Sequence, residues 1–121
     1  MRILVVEDEP AVQRYIVKIL KNEYIGVEID VADTGDGALA CYDSCGPYDL
    51  VITHYMHPGG VPADELVDAM RSRNPEQTVI LQTGNAGNHI EAFLQRWKDI
   101  PYLEKPWQVT QFRHLVKKMV G

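Results

Sequence analysis

Ile3-Leu4-Val5-Val6-Glu7-Asp8-Glu9-Pro10 is the stretch that decides the fold. Its apolar run, rich in β-branched residues, reads as a strand buried on both faces, the pattern of a parallel sheet. Three acidic residues follow at once. Pro10 then opens a helix, in the first turn, where its missing N–H leaves no bond unmade. Val12, Ile16, Ile19 and Leu20 fall on one face of that helix. A buried strand passing straight into an amphipathic helix is the first part of a βαβ unit.

Working outward, the same alternation runs along the whole chain. Residues 27–32 read as a second strand and 35–44 as a second helix; Gly46-Pro47 breaks the chain before a third strand, 49–53. A third helix is expected over 64–73, with Leu66, Val67 and Met70 inward. A fourth strand follows at 78–81, a fourth helix at 89–97 and a short fifth strand at 100–103. The last helix, from about residue 108, places Val109, Phe112, Val116 and Met119 along one side. With no linker or repeat, residues 1–121 are expected to be one domain. Five strands alternating with five helices imply right-handed crossovers and an α/β, doubly wound five-stranded parallel sheet. Sites in such sheets lie at the carboxyl ends of the strands, and Glu7, Asp8, His54, Thr83 and Lys105 all fall there.

Composition limits the function classes. The chain has 121 residues, 45% hydrophobic and 24% charged, with a formal net charge of −5. Those are ordinary globular values. The acidic balance argues against a nucleic-acid surface, which needs a clustered Lys/Arg face; Lys117-Lys118 is too small a patch. Nothing resembles a signal peptide, and no stretch approaches the ~20 apolar residues that span a bilayer. Cys41 and Cys45 stand four apart on an expected helix, so a disulfide between them would close a trivial loop. Reduced thiols in a soluble, cytoplasmic protein are the better reading.

These pieces, in this order, resemble the receiver domain of bacterial response regulators in two-component signalling (CheY-like). The text that carries the resemblance is Ile3-Leu4-Val5-Val6-Glu7-Asp8-Glu9-Pro10, then Tyr48-Asp49-Leu50-Val51-Ile52-Thr53, then Met56-His57-Pro58-Gly59, Thr83-Gly84 and Tyr102-Leu103-Glu104-Lys105-Pro106. The resemblance implies a flavodoxin-like fold with strand order 2-1-3-4-5. It implies that Glu7 and Asp8 hold Mg²⁺, with the backbone carbonyl of Met56 completing the shell. Hard Mg²⁺ takes one or two carboxylates plus water and phosphate oxygens. Thr83 would bond a phosphoryl oxygen and Lys105 would neutralise it. Tyr102 matches an aromatic switch, and Lys105-Pro106 a cis peptide.

Two features depart from the family's pattern. His54 stands where the phosphoacceptor aspartate belongs, which removes the third carboxylate and weakens Mg²⁺, since neutral imidazole is a poor partner for a hard ion. The loop 58–64 is one residue longer than usual and carries an extra proline. The imidazole has four readings, taken in order. It replaces the acceptor and removes phosphorylation; it supplies an internal positive charge beside Glu7 and Asp8; it binds a transition metal with Glu7 or Asp8, His57 being only a weak further candidate; or it is itself phosphorylated.

The expected function is therefore regulation by protein contact, independent of phosphorylation and without enzymatic activity. The partner would be a histidine kinase, another receiver or an output protein, meeting the 87–121 face; homodimerisation is a further option, and neither nucleic acid nor membrane is expected. Alternatives are a substituted variant of an ordinary phosphorylatable receiver, or a metal- or cofactor-binding flavodoxin-like protein. Flavin mononucleotide would need a Ser/Thr/Gly-rich loop where Glu7-Asp8-Glu9 stands. For cobalamin binding, Tyr55 occupies the place of the required aspartate.

Overall fold

The chain's ends, helices and sheet come from a computed structural model that describes residues 1–55, 60–84 and 90–121. Strands β1 (Arg2–Val6), β2 (Glu28–Ala32), β3 (Leu50–His54), β4 (Val79–Thr83) and β5 (Tyr102–Glu104) form one sheet in the order β2-β1-β3-β4-β5. All four pairings are parallel. Among the described residues, helices α1 (Pro10–Glu23), α2 (Gly35–Cys45), α3 (Ala63–Arg73), α4 (Glu91–Arg96) and α5 (Val109–Val120) alternate with the strands. This is the doubly wound α/β fold expected from the alternation, in the flavodoxin-like strand order that the resemblance implied.

The period of two in β1 divides the interior. Ile3 and Val5 face one layer with Ile16, Leu20, Phe112 and Val116, under α1 and α5. Leu4 and Val6 face the other, with Ala38, Leu66, Val67, Met70 and Phe93, under α2, α3 and α4. Each fully buried Leu, Ile, Val or Phe stabilises by about 1.5–3 kcal/mol relative to exposure. β1, β3 and β4, apolar on both faces, thus become the rigid centre on which the strand ends are held.

Several boundaries differ from those read in the sequence, each for a local reason. β4 runs to Thr83 instead of stopping at Leu81, because Gln82 and Thr83 pair with Leu103 and Glu104. β3 likewise runs on to His54, which pairs with Gln82. β5 starts at Tyr102, since Pro101 has no N–H for the ladder and offers only its carbonyl, to Leu81. α4 ends at Arg96: Trp97 donates its N–H to Phe93 but leaves the helical region at φ −116, ψ 70. The expected start of α4 at His89 lies outside the described residues. The Lys105-Pro106 peptide is cis, as is Gly46-Pro47. Cys41 and Cys45 are free thiols.

Candidate functional site

Sheet register brings the site together. Val6 pairs with Thr53, His54 with Gln82 and Thr83 with Glu104, so the residues following β1, β3, β4 and β5 share one end of the sheet. Glu7 leaves β1 directly into this end. Its N–H donates to the Ala32 carbonyl at 3.0 Å, which holds the chain extended one residue past the strand. The Gln13 amide, one turn into α1, donates to the Glu7 carbonyl at 2.9 Å and to Asp33 Oδ1 at 2.9 Å. Together these bonds fix the backbone from which the Glu7 and Asp8 side chains project.

Glu7 is fully buried and its two carboxylate oxygens are both used. Oε1 accepts from Lys105 Nζ at 2.8 Å, and Oε2 accepts from the Glu9 N–H at 3.1 Å. A buried charge is tolerated only when paired and hydrogen-bonded, and Lys105 supplies both conditions. Lys105 is positioned in turn by its own N–H, which donates to the Thr83 carbonyl at 2.8 Å.

Asp8 and His54 form the second half of the site. His54 Nδ1 lies 4.0 Å from Asp8 Oδ1, with the two side chains 13% and 28% exposed. At that separation there is no direct hydrogen bond between the two atoms. Asp8 Oδ1 is itself buried and has no hydrogen-bond partner among the described residues. Glu7, Asp8 and His54 each offer one ligand atom within 4.8 Å of the others. Each carboxylate therefore has its own basic neighbour: Lys105 for Glu7, His54 for Asp8.

Of the remaining expected site residues, Thr83 ends β4 and is buried, while Tyr102 opens β5 and is 42% exposed. Met56 and His57 lie outside the described residues. Two residues that the sequence did not mark as parts of the site are in it. Gln82, fully buried beside His54, accepts from Trp107 Nε1 at 2.9 Å. Trp107 stacks on Phe112, ring centroids 4.6 Å apart, and on Tyr15 at 5.8 Å. A polar residue continuing the apolar run Val79-Ile80-Leu81 was the available signal for Gln82. On the outer side of Lys105, an open and mainly apolar hollow of about 490 Å³ is lined by Glu9, Val12, Tyr15, Gly84, Pro106 and Trp107.

A β2-β1-β3-β4-β5 parallel sheet with an acidic pair after β1, its Glu7 fully buried, and a lysine after β5 defines a receiver-type signalling domain. The response regulator receiver domain model matches residues 3–117. The chain belongs to that family: it is the receiver domain of a two-component response regulator. It is similar to the response regulator TrrA of Thermotoga maritima, whose crystal structure is a complex with Mg²⁺-BeF: 34% identity, 98% of this chain and 97% of that one, TM-score 0.82. A CheY-like receiver domain protein of Methanospirillum hungatei JF-1 shares the fold at TM-score 0.86 and 24% identity, over 98% of this chain and 92% of its own. The nitrogen assimilation regulatory protein NtrX of Azorhizobium caulinodans is 26% identical over 109 residues, 90% of this chain. The chain spans only 24% of that relative's length. None of the described helices is long and apolar enough to cross a membrane.

Proposed function

We propose that residues 1–121 form one receiver domain that regulates a protein partner without being phosphorylated. The observation that carries this reading is the imidazole at the carboxyl end of β3. His54 shares a cluster with Glu7 and Asp8, and its strand, Leu50–His54, contains no carboxylate. A receiver pocket of this kind is built to hold a carboxylate oxygen in line with the donor, and catalysis by positioning tolerates little displacement. His54 occupies the place from which that oxygen would act. Thr83 and Lys105 remain as the phosphoryl-binding parts, with Lys105 engaged by Glu7.

Glu7 and Asp8, with the Met56 carbonyl, are the residues that would hold Mg²⁺. TrrA was crystallised with Mg²⁺-BeF, but here the third side-chain donor is a ring nitrogen, which fits Mg²⁺ poorly. A hard ion is held weakly at best. The domain would then act by contact and not as an enzyme. Receiver domains meet kinases or output domains, and the 87–121 face is the surface we assign to a histidine kinase, another receiver, an output protein or a second copy. Half-exposed Tyr102, as the switch aromatic, and the hollow beside Trp107 support that face. Two free thiols suit the cytoplasm.

The test is chemical. The intact protein is weighed after incubation with Mg²⁺ and acetyl phosphate. No gain of a phosphoryl group is expected for the native sequence, and labelling is expected for His54→Asp. Labelling of the native protein would refute the reading.

A further inference from the structure

We propose that Glu7, Asp8 and His54 form a site for a divalent transition ion of the zinc class, and that its occupancy is the input this domain reads. This deepens the reading of His54 given above. Three observations carry it. The donor set is two carboxylates and one imidazole, which suits zinc-class ions and not magnesium. The cluster sits largely out of water, with Glu7 fully buried and the His54 side chain 13% exposed. Asp8 Oδ1 is buried with no hydrogen-bond donor among the described residues, a condition that a bound cation would relieve.

The geometry is within reach of a metal shell. Zinc bonds of about 2.0–2.2 Å place tetrahedral donors about 3.4 Å apart. The donors here lie within 4.8 Å of one another, so side-chain rotation has to draw them together only slightly. Three protein ligands would leave a fourth position for water. An entering cation would also compete with the Lys105 ammonium for Glu7, now held at 2.8 Å. Lys105 leads through Pro106 to Trp107, which is bonded to Gln82 and stacked on Tyr15. Metal occupancy is thereby coupled to the surface beside β5.

The test titrates the metal-free chain with Zn²⁺, Co²⁺ and Mg²⁺ separately, with no phosphodonor present. Zn²⁺ should bind one per chain, at least about tenfold tighter than Mg²⁺. Co²⁺ should give a visible absorption band of low-coordinate nitrogen and oxygen ligation. In a Trp97→Phe background, which leaves Trp107 as the sole tryptophan, fluorescence should change on saturation. His54→Ala should abolish the band with circular dichroism preserved, and His54→Asp should turn the preference toward Mg²⁺. Tighter Mg²⁺ than Zn²⁺ in the native chain overturns the proposal, whatever the variants do. So does Zn²⁺ binding that His54→Ala leaves unchanged, which would assign it to the other histidines or to the free thiols Cys41 and Cys45. The outcomes separate cleanly from the labelling experiment: a silent mass spectrum with no zinc preference fells the metal site alone. A labelled native protein fells the phosphorylation-independent reading alone.

Discussion

Lys105 and Glu7 are separated by 98 residues of chain and by 2.8 Å in space. The ion pair joins the first strand's end to the last's and closes the site around a fully buried carboxylate. Removing the cation leaves that charge without compensation, which typically costs 3–5 kcal/mol. Lys105 is 17% exposed, so water can partly replace it. Lys105→Met is therefore expected to destabilise by about 3 kcal/mol, the lower end of that range, measured by urea unfolding. Glu7→Gln in the same chain should recover much of the loss. A Lys105→Met protein as stable as the parent would show that the pair is not what holds Glu7 in place.

Gln77 is the polar counterpart at the opposite end of the sheet. Buried to 1% exposure, its Oε1 accepts from Tyr42 Oη at 2.7 Å and from the Tyr48 N–H at 3.1 Å. Its Nε2 donates to the carbonyls of Tyr48 and Thr78, at 2.8 and 3.0 Å. One side chain thus ties α2 to the approaches of β3 and β4. Gln77→Ala leaves several buried groups without partners, at about 1–3 kcal/mol each where water cannot enter. A loss of about 3 kcal/mol is expected by thermal or urea unfolding, with the transition still cooperative.

How much of this was legible in the sequence depended on whether the determining contact was local. β1 and the inward faces of α1, α3 and α5 could be read because periodicity alone declares them: Ile16, Leu66, Met70 and Phe112 are all buried as their spacing required. The extension of β4 through Gln82 and Thr83 was not, because it is set by pairing to Leu103 and Glu104 across the sheet. Gln77 carries no pattern at all; its role exists only once Tyr42 and Tyr48 have been packed around it. At the site, the strand-end rule brought Glu7, Asp8, His54 and Lys105 into one region. It could not say which base faces which acid, since that follows from side-chain reach.

Arg71 and Asp99 give the clearest pH dependence. Arg71 donates in a two-pronged contact, Nη1 to Oδ1 at 2.9 Å and Nη2 to Oδ2 at 2.7 Å, while also donating to the Gln77 carbonyl. This hydrogen-bonded guanidinium, against a smaller opposing effect of burial, holds the Asp99 carboxyl below its ordinary value. A depressed folded-state pKa means that the stabilisation is present above the unfolded value near 3.9 and is lost as pH falls through the folded one. The Asp99 side chain is 66% exposed, so solvent screens the pair and its worth stays below about 1 kcal/mol. Unfolding free energies of Asp99→Asn and the parent should therefore differ at pH 6, converge toward pH 2, and differ less in high salt. A gap that widened on acidification would contradict the assignment.

Val61, just ahead of α3, packs against the start of α2 at Gly35. This residue opens α2, is buried, and lies so close to Val61 that an added Cβ would collide with its backbone carbonyl. Backbone cannot yield as a flexible side chain can, so either α2 or the segment at Val61 must move. Overpacking of this kind typically costs 1–3 kcal/mol. Elsewhere Ala at a helical position would stabilise relative to Gly by roughly 0.5–1 kcal/mol, so the sign of the change is diagnostic. Gly35→Ala is expected to lower stability by about 2 kcal/mol. Gly37→Ala, two residues on, would meet only Thr34 Oγ1 at 3.4 Å and the Ala32 side chain at 3.7 Å. It should be neutral or stabilising in the same unfolding experiment. If the two variants behaved alike, the close approach of Val61 to α2 would not exist in solution.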